Sequence, residues 1–199
     1  MILASSSPRR IQMIREKGLD PIIIPPDVDE TVPADIAPHI AVMFLALKKS
    51  LFVESIAIEK GYTEGETLIA ADTIVVYRND IIGKPSDFED AYATLKKLCG
   101  EMHRVFTGVA VLRPGTGYRK VFYETSRVFF KAYTDEEIIQ YVETKEPYDK
   151  AGGYAVQGTW GKYIDRIDGD VDNVIGLPWS RLKKELSDHT ISYSEGALL

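Results

Sequence analysis

Leu68-Ile69-Ala70-Ala71-Asp72-Thr73-Ile74-Val75-Val76 is an apolar, β-rich run with a carboxylate and a hydroxyl set in its middle. Its composition predicts a strand, and Asn79-Asp80 reads as the turn of a hairpin returning through Ile81-Ile82. Burying an unpaired carboxylate costs several kcal/mol, so something must compensate Asp72. Working toward the N-terminus, a long helix from about Ile36 to Lys60 is closed by Gly61 and Gly65, and Pro21 to Pro25 reads as a strand ending in the acidic turn Asp27-Val28-Asp29-Glu30. Before that, Ile2 to Ala4 is a short strand entering a serine triplet. Ser7 stands as N-cap, Pro8 at the first helical position and Gly18 at the stop.

Toward the C-terminus, Ser86 and Glu89 have capping-box spacing ahead of the stripe Phe88, Ala91, Tyr92, Leu95, Leu98, which stops at Gly100. Val105 to Leu112 and Tyr118 to Phe130 read as an antiparallel hairpin across Pro114-Gly115-Thr116-Gly117. Thr134 and Glu137 form a second capping box, whose helix ends before Pro147. Tyr163 to Ile167 and Val171 to Ile175 read as two strands about Asp168-Gly169-Asp170, and Pro178 starts a last helix reaching about Ser187. Hairpins mixed with strand–helix alternation predict a mixed α/β fold, a mixed sheet flanked by helices.

The chain has 199 residues, 45% hydrophobic and 27% charged, the composition of a globular protein with a full core. No linker-like tract divides it, so one domain is expected over residues 1–189, followed by a weakly specified tail at 190–199. A net charge of −6 argues against polymeric DNA or RNA and against anionic lipid as partners. Cys99 is the single cysteine, which excludes an intrachain disulfide and a cysteine-built zinc site and fits a reducing, cytoplasmic compartment. No apolar run approaches membrane-spanning length, and the first residues lack the pattern of a signal peptide.

Ser5-Ser6-Ser7-Pro8-Arg9-Arg10 gathers hydroxyls, helix N-terminal N–H groups and two guanidinium groups, which suits an anion. It also reads as a capped surface helix with solvated arginines. For Asp72 the compensating charge is a metal, with Glu30 supplying a second oxygen ligand for Mg²⁺, or else a structural contact with Lys49 or backbone N–H groups. Gly83-Lys84-Pro85 frames a lysine rigidly after the hairpin, or simply solvates it in a turn. Asp149 to Gly158 carries glycines that permit close approach to a ligand, and Gln157 offers a donor and an acceptor on one amide; the plain alternative is a Gly-rich connector. His39 and His189 read as surface residues, His103 as structural and Cys99 as a small core residue. Taken together the parts describe a nucleoside triphosphate site without a Walker A or Gly-x-Gly-x-x-Gly sequence.

Six motifs in order resemble the Maf family. They are Leu3-Ala4-Ser5-Ser6-Ser7-Pro8-Arg9-Arg10, Ala71-Asp72-Thr73-Ile74-Val75, Gly83-Lys84-Pro85, His103-Arg104-Val105-Phe106-Thr107-Gly108-Val109, Glu146-Pro147-Tyr148-Asp149-Lys150-Ala151-Gly152-Gly153-Tyr154-Ala155-Val156-Gln157-Gly158 and Gly176-Leu177-Pro178. The resemblance implies an elongated inosine triphosphate pyrophosphatase-like fold with two lobes around a central cleft, a cytoplasmic homodimer, and a link to arrest of septum formation. It implies a nucleoside triphosphate pyrophosphatase, of the branch that cleaves dTTP and UTP to monophosphate and pyrophosphate with a divalent metal, Mg or Mn. By the same resemblance Asp72 is the proton acceptor, Arg9, Thr73 and Gln157 set base specificity, and Glu30 is a further polar position of the pocket; the oxygen chemistry of Asp72 and Glu30 makes these two the expected metal ligands. Ser7, Arg10, Lys49 and Lys84 complete the substrate pocket. Lys48-Lys49-Ser50 departs from the family's Lys-Ala, and Cys99 stands where serine or threonine is usual. Two rival readings are a pyrophosphatase for methylated or modified purine triphosphates and a nucleotide-binding regulator of division that does not turn over.

Overall fold

A computed structural model describes residues 1–33, 35–62 and 65–187. The expected tail at 190–199 and His189 lie outside the described residues. The elements are β1 (Ile2–Ala4), α1 (Pro8–Glu16), β2 (Ile22–Ile23), α2 (Pro38–Glu59), β3 (Leu68–Tyr77), β4 (Asp80–Ile82), α3 (Phe88–Leu98), β5 (Met102–Leu112), β6 (Arg119–Phe130), α4 (Asp135–Glu143), β7 (Ile164–Asp168), α5 (Val171–Ile175) and α6 (Trp179–Ser187). The strands form one mixed sheet in the order β2-β1-β3-β5-β6-β7, with β4 paired to β3. β1 runs parallel to β2 and β3, whereas β4 on β3 and β7 on β6 are antiparallel. The mixed α/β class expected from the alternation is what the chain adopts. Among the described residues no helix is long and apolar enough to cross a membrane.

The described residues make two compact units, the first comprising those within 1–72, 107–124 and 176–187 and the second those within 73–106 and 125–175. The core of the first packs Ile2, Ala4, Leu68 and Ala70 of the parallel strands with Ala46, Val53 and Ala57 of α2 and with Ala110 and Leu112 of β5. Small residues line α2 there because the sheet comes close: a Cβ built at Gly108 would lie 2.3 Å from the carbonyl carbon and oxygen of Val42. That contact explains the glycine of the Thr107-Gly108-Val109 motif by packing alone.

The second unit's core gathers Leu95, Leu98, Val105, Val128 and Ile138 with an aromatic group that includes Phe130, Tyr133, Tyr154 and Trp160. His103 is part of it, 1% exposed, its Nε2 lying 2.6 Å from the Tyr154 hydroxyl and its ring 5.0 Å from that of Phe130. Burial pulls its pKa down to about 4, so the ring is neutral at physiological pH.

Local signals decided most elements, and three readings need correction. The Thr134–Glu137 capping box forms in both directions and starts α4. At α3 the N-cap is Asp87, whose carboxylate accepts the Asp90 N–H at 2.9 Å; Ser86 stands one residue outside and donates to Asp87 and Asp90. A carboxylate is the stronger acceptor at a helix N-terminus, so it displaced the expected Ser86–Glu89 box. The hairpin turn is Arg78-Asn79, since Tyr77 pairs with Asp80, and Arg78 takes φ 54°. Val171–Ile175 is a helix instead of a strand: Asp170 accepts the Asp172 N–H through Oδ1 at 2.9 Å and the Val174 N–H through its carbonyl at 3.4 Å. Asn173 then turns inward and donates to the Val105 carbonyl and the Ser126 hydroxyl. The capping aspartate outweighs the β-branched composition.

Gly108→Ala should destabilise the protein by about 3 kcal/mol through overpacking against α2, lowering Tm by roughly 6–12 °C in thermal unfolding. His103 gives an acid prediction. Because its folded pKa lies near 4 and its unfolded value near ~6.5, the unfolded chain binds the extra proton between those values, so stability falls as pH drops through that window. The loss should approach about 3 kcal/mol, and His103→Gln should show a correspondingly shallower fall of Tm between pH 7 and 4.

Candidate functional site

The first unit collects six of the expected site residues: Ser7, Arg9, Arg10, Glu30, Lys49 and Asp72. Ser7 has the extended backbone of an N-cap and Pro8 opens α1 as expected, but the Ser7 side chain makes no cap bond to the helix. Its own N–H is instead held by Ser5 Oγ at 3.1 Å. One turn on, Arg10 donates from Nε to the Gly176 carbonyl at 2.7 Å, which gives the Gly176-Leu177-Pro178 motif its part in anchoring the guanidinium.

Asp72 sits in the middle of β3, 6% exposed, and its compensating charge is Lys49. Lys49 Nζ donates to Asp72 Oδ1 at 2.5 Å and lies 2.8 Å from Glu30 Oε1, so one ammonium joins a buried and an exposed carboxylate. The structural alternative weighed for Asp72, pairing with Lys49, is therefore present. Burial lowers the Arg10 pKa from its ordinary value, Asp72 and Glu30 raise it, and Arg9 lowers it further; the two carboxylates and two arginines thus share one electrostatic neighbourhood. The adjacent lysine serves a different turn. Lys48 Nζ donates to the Asp29 backbone carbonyl and lies 3.8 Å from its carboxylate. Thr31 donates its hydroxyl and N–H to Asp29 Oδ1, at 2.6 and 3.0 Å, and these bonds hold the Asp29 carboxyl below its usual range.

Glu30 and Asp72 also meet the donor requirement of Mg²⁺ or Mn²⁺, which take one or two protein carboxylates and complete their shell from phosphate and water. Among the described residues no three His, Cys, Asp or Glu side chains gather into a group that could hold a metal ion by itself.

Thr73, Lys84 and Gln157 belong to the second unit. Thr73 follows Asp72 on β3 and is half-buried. Gly83, before Lys84, accepts the Gly152 N–H at 3.0 Å, so the Gly-Lys-Pro turn and the Gly152-Gly153 segment are fastened together. Gly152 takes φ 73°, and a Cβ there would lie 3.0 Å from the Val75 side chain; conformation and packing both require glycine. Lys150 is buried and donates to the Glu146 carbonyl and to Asp149, each at 2.5 Å, as an internal brace.

Gln157 is exposed, and two residues past it Thr159 is bonded to a carboxylate to which the sequence assigned no part. Glu146 accepts the Thr159 N–H at Oε1, 3.2 Å, and the Thr159 hydroxyl at Oε2, 2.7 Å, while the Tyr141 hydroxyl reaches Oε1 at 3.4 Å. The one available signal was its place at the head of the Glu146-to-Gly158 motif; its partner, thirteen positions on, is visible only in three dimensions.

The family described as "Maf-like protein" matches residues 1–189. The chain is 41% identical over 187 residues to a dTTP/UTP pyrophosphatase of Desulfitobacterium hafniense, covering 94% of this chain and 84% of that one. It is 43% identical to the dTTP/UTP pyrophosphatase of Caldicellulosiruptor bescii, with coverages of 92% and 90%. It is 39% identical to that of Caldicellulosiruptor saccharolyticus, with coverages of 100% and 98%. A structural likeness of TM-score 0.46 at 14% identity, covering 95% of this chain and 98% of the other, is to the Staphylococcus aureus Ham1 protein. With a family match across residues 1–189 and relatives near two-fifths identity along most of its length, the chain belongs to the Maf-like family.

Proposed function

We propose that this chain hydrolyses pyrimidine nucleoside triphosphates, dTTP and UTP, between the α- and β-phosphates, giving the monophosphate and pyrophosphate. The observation that carries the reading is the single lysine ammonium joining a nearly buried aspartate to Glu30, with Arg10 charge-coupled to both carboxylates. Relatives covering nearly the whole chain and named dTTP/UTP pyrophosphatase support the choice of substrate.

In the proposed step a water oxygen attacks the α-phosphorus, the bond from that phosphorus to the bridging oxygen breaks, and pyrophosphate leaves with the electron pair. The water oxygen stays on the monophosphate, and Asp72 accepts the proton. Lys49 fixes one Asp72 oxygen, which orients the carboxylate for that transfer. Arg10, Lys84, the amides at the start of α1 and Ser7 bind phosphate oxygens, with Arg10 aimed by its bond to Gly176. A divalent ion, Mg²⁺ or Mn²⁺, held by Asp72 and Glu30 would supply further neutralisation of the triphosphate charge. Gln157, with Arg9 and Thr73 as further specificity positions, matches the paired acceptor and donor of the uracil or thymine imide edge with its amide, which favours those bases over ones with a different pattern.

Asp72→Asn keeps the shape and removes the base, so pyrophosphate release from UTP should fall by on the order of 100-fold or more. A rate near that of the unaltered protein would remove Asp72 from the chemistry. Gln157→Ala should narrow the preference for UTP over CTP by roughly 10-fold or more in kcat/KM, and an unchanged nucleotide ranking would refute the base-reading role.

A further inference from the structure

We propose that Glu146 is a positioning residue for nucleotide selection: its carboxylate fixes the backbone on which the Gln157 amide is presented. The proposal rests on the reading of Gln157 as the group that meets the base. Gln157 is a central residue of a tight turn, closed by the Gly158 N–H donating to the Ala155 carbonyl at 3.1 Å and continued by the Gly161 N–H donating to the Gly158 carbonyl at 3.0 Å. A turn of this size, exposed at its tip, holds one direction only if something outside it grips the backbone.

Glu146 supplies the grip. Its two oxygens take the main-chain N–H and the hydroxyl of Thr159, two residues past Gln157. The clamp is anchored in turn, since the Glu146 N–H donates to Thr144 Oγ1 at 3.2 Å, its carbonyl accepts from the buried Lys150 ammonium at 2.5 Å, and its carboxylate is reached by the Tyr141 hydroxyl. These contacts tie the turn to the C-terminal end of α4.

Gly158 gives independent evidence. Its φ of −89° is open to any residue, so its backbone does not require glycine. A Cβ built there would lie 2.1 Å from Glu146 Oε1 and 3.3 Å from its Cδ. The missing side chain is thus the space that the carboxylate occupies, and the Gln157-Gly158 pair has one residue that faces the ligand and one that makes room for its support. Glu146 touches neither substrate nor reacting atoms and acts through Gln157.

The test is a double-mutant cycle on the full chain, with kcat and KM measured for UTP and CTP alongside melting temperatures. Glu146→Ala should raise KM for UTP and narrow the UTP-over-CTP ratio in kcat/KM by roughly 10-fold. Glu146→Gln, whose amide oxygen still accepts a hydrogen bond, should restore part of that ratio. Gly158→Ala should reproduce the Glu146→Ala effect, because the new methyl expels the carboxylate, yet should change the ratio by less than about twofold once Glu146 is already alanine. Equal effects of Gly158→Ala in both backgrounds would overturn the clamp. So would a Glu146→Ala protein with a lowered Tm and an unaltered ratio while Gln157→Ala narrows it, since the carboxylate would then be structural only. If Gln157→Ala leaves the ratio alone, the base reading fails first and the positioning role falls with it.

Discussion

A lysine of α2 and an aspartate in the middle of β3 meet at 2.5 Å, each side chain less than a tenth exposed, and the charged groups of the first unit gather around them. Such a pair is a poor way to gain stability: removing two charges from water costs more than a well-packed apolar pair of similar volume would, and the attraction between them returns only part of it. Its geometry has other consequences. Lys49 is shared with Glu30, whose side chain is 56% exposed, so the ion cluster runs from the interior to the surface and ends where a solute can reach it. Arg10 is aimed by a main-chain carbonyl and charge-coupled to both acids, so the carboxylates are already balanced by cations before any anion arrives.

The motifs of the chain divide by physical role. Gly108 is where β5 approaches the Val42 backbone, Gly152 is where the chain turns left-handed against Val75, and His103 completes an aromatic core as a neutral ring. These positions specify packing. Asp72, Lys49 and Arg10 specify charge, and Gln157 specifies a hydrogen-bonding pattern presented at the surface of a braced turn. Under the proposed function, packing of the first kind keeps groups of the second at fixed positions along strands and turns, which preorganised catalysis and base selection require.

Much of this was legible in one dimension because the deciding signals are local. The capping box at Thr134, the strand–turn–helix from Ile2 to Glu16 and the buried aspartate in a β-branched run each involve residues within a few positions of one another. Failures came where two local signals competed or where the partner is remote. Val171–Ile175 has strand composition, yet a capping aspartate and an inward-facing Asn173 make it a helix. Ser86 and Asp87 both offered a cap, and the carboxylate prevailed. Lys48 and Lys49 are indistinguishable by type; the sequence points to Lys49 as a partner of Asp72, as the fold has it, and leaves Lys48, which serves the Asp29 turn, without a role. Glu146 carried no visible meaning because Thr159 lies thirteen residues away.

Under the proposed function the Lys49–Asp72 pair serves hydrolysis and not folding. Replacing both residues together, as Lys49→Met with Asp72→Leu, removes one charge of each sign and leaves Arg10 facing Glu30. Pyrophosphate release from UTP, measured beside thermal unfolding of the same protein, separates the two roles. The expected outcome is a folded protein whose Tm lies within a few degrees of the original, or above it, and whose hydrolysis is at background. A double variant that still turns over UTP, or one that no longer folds, would contradict that assignment.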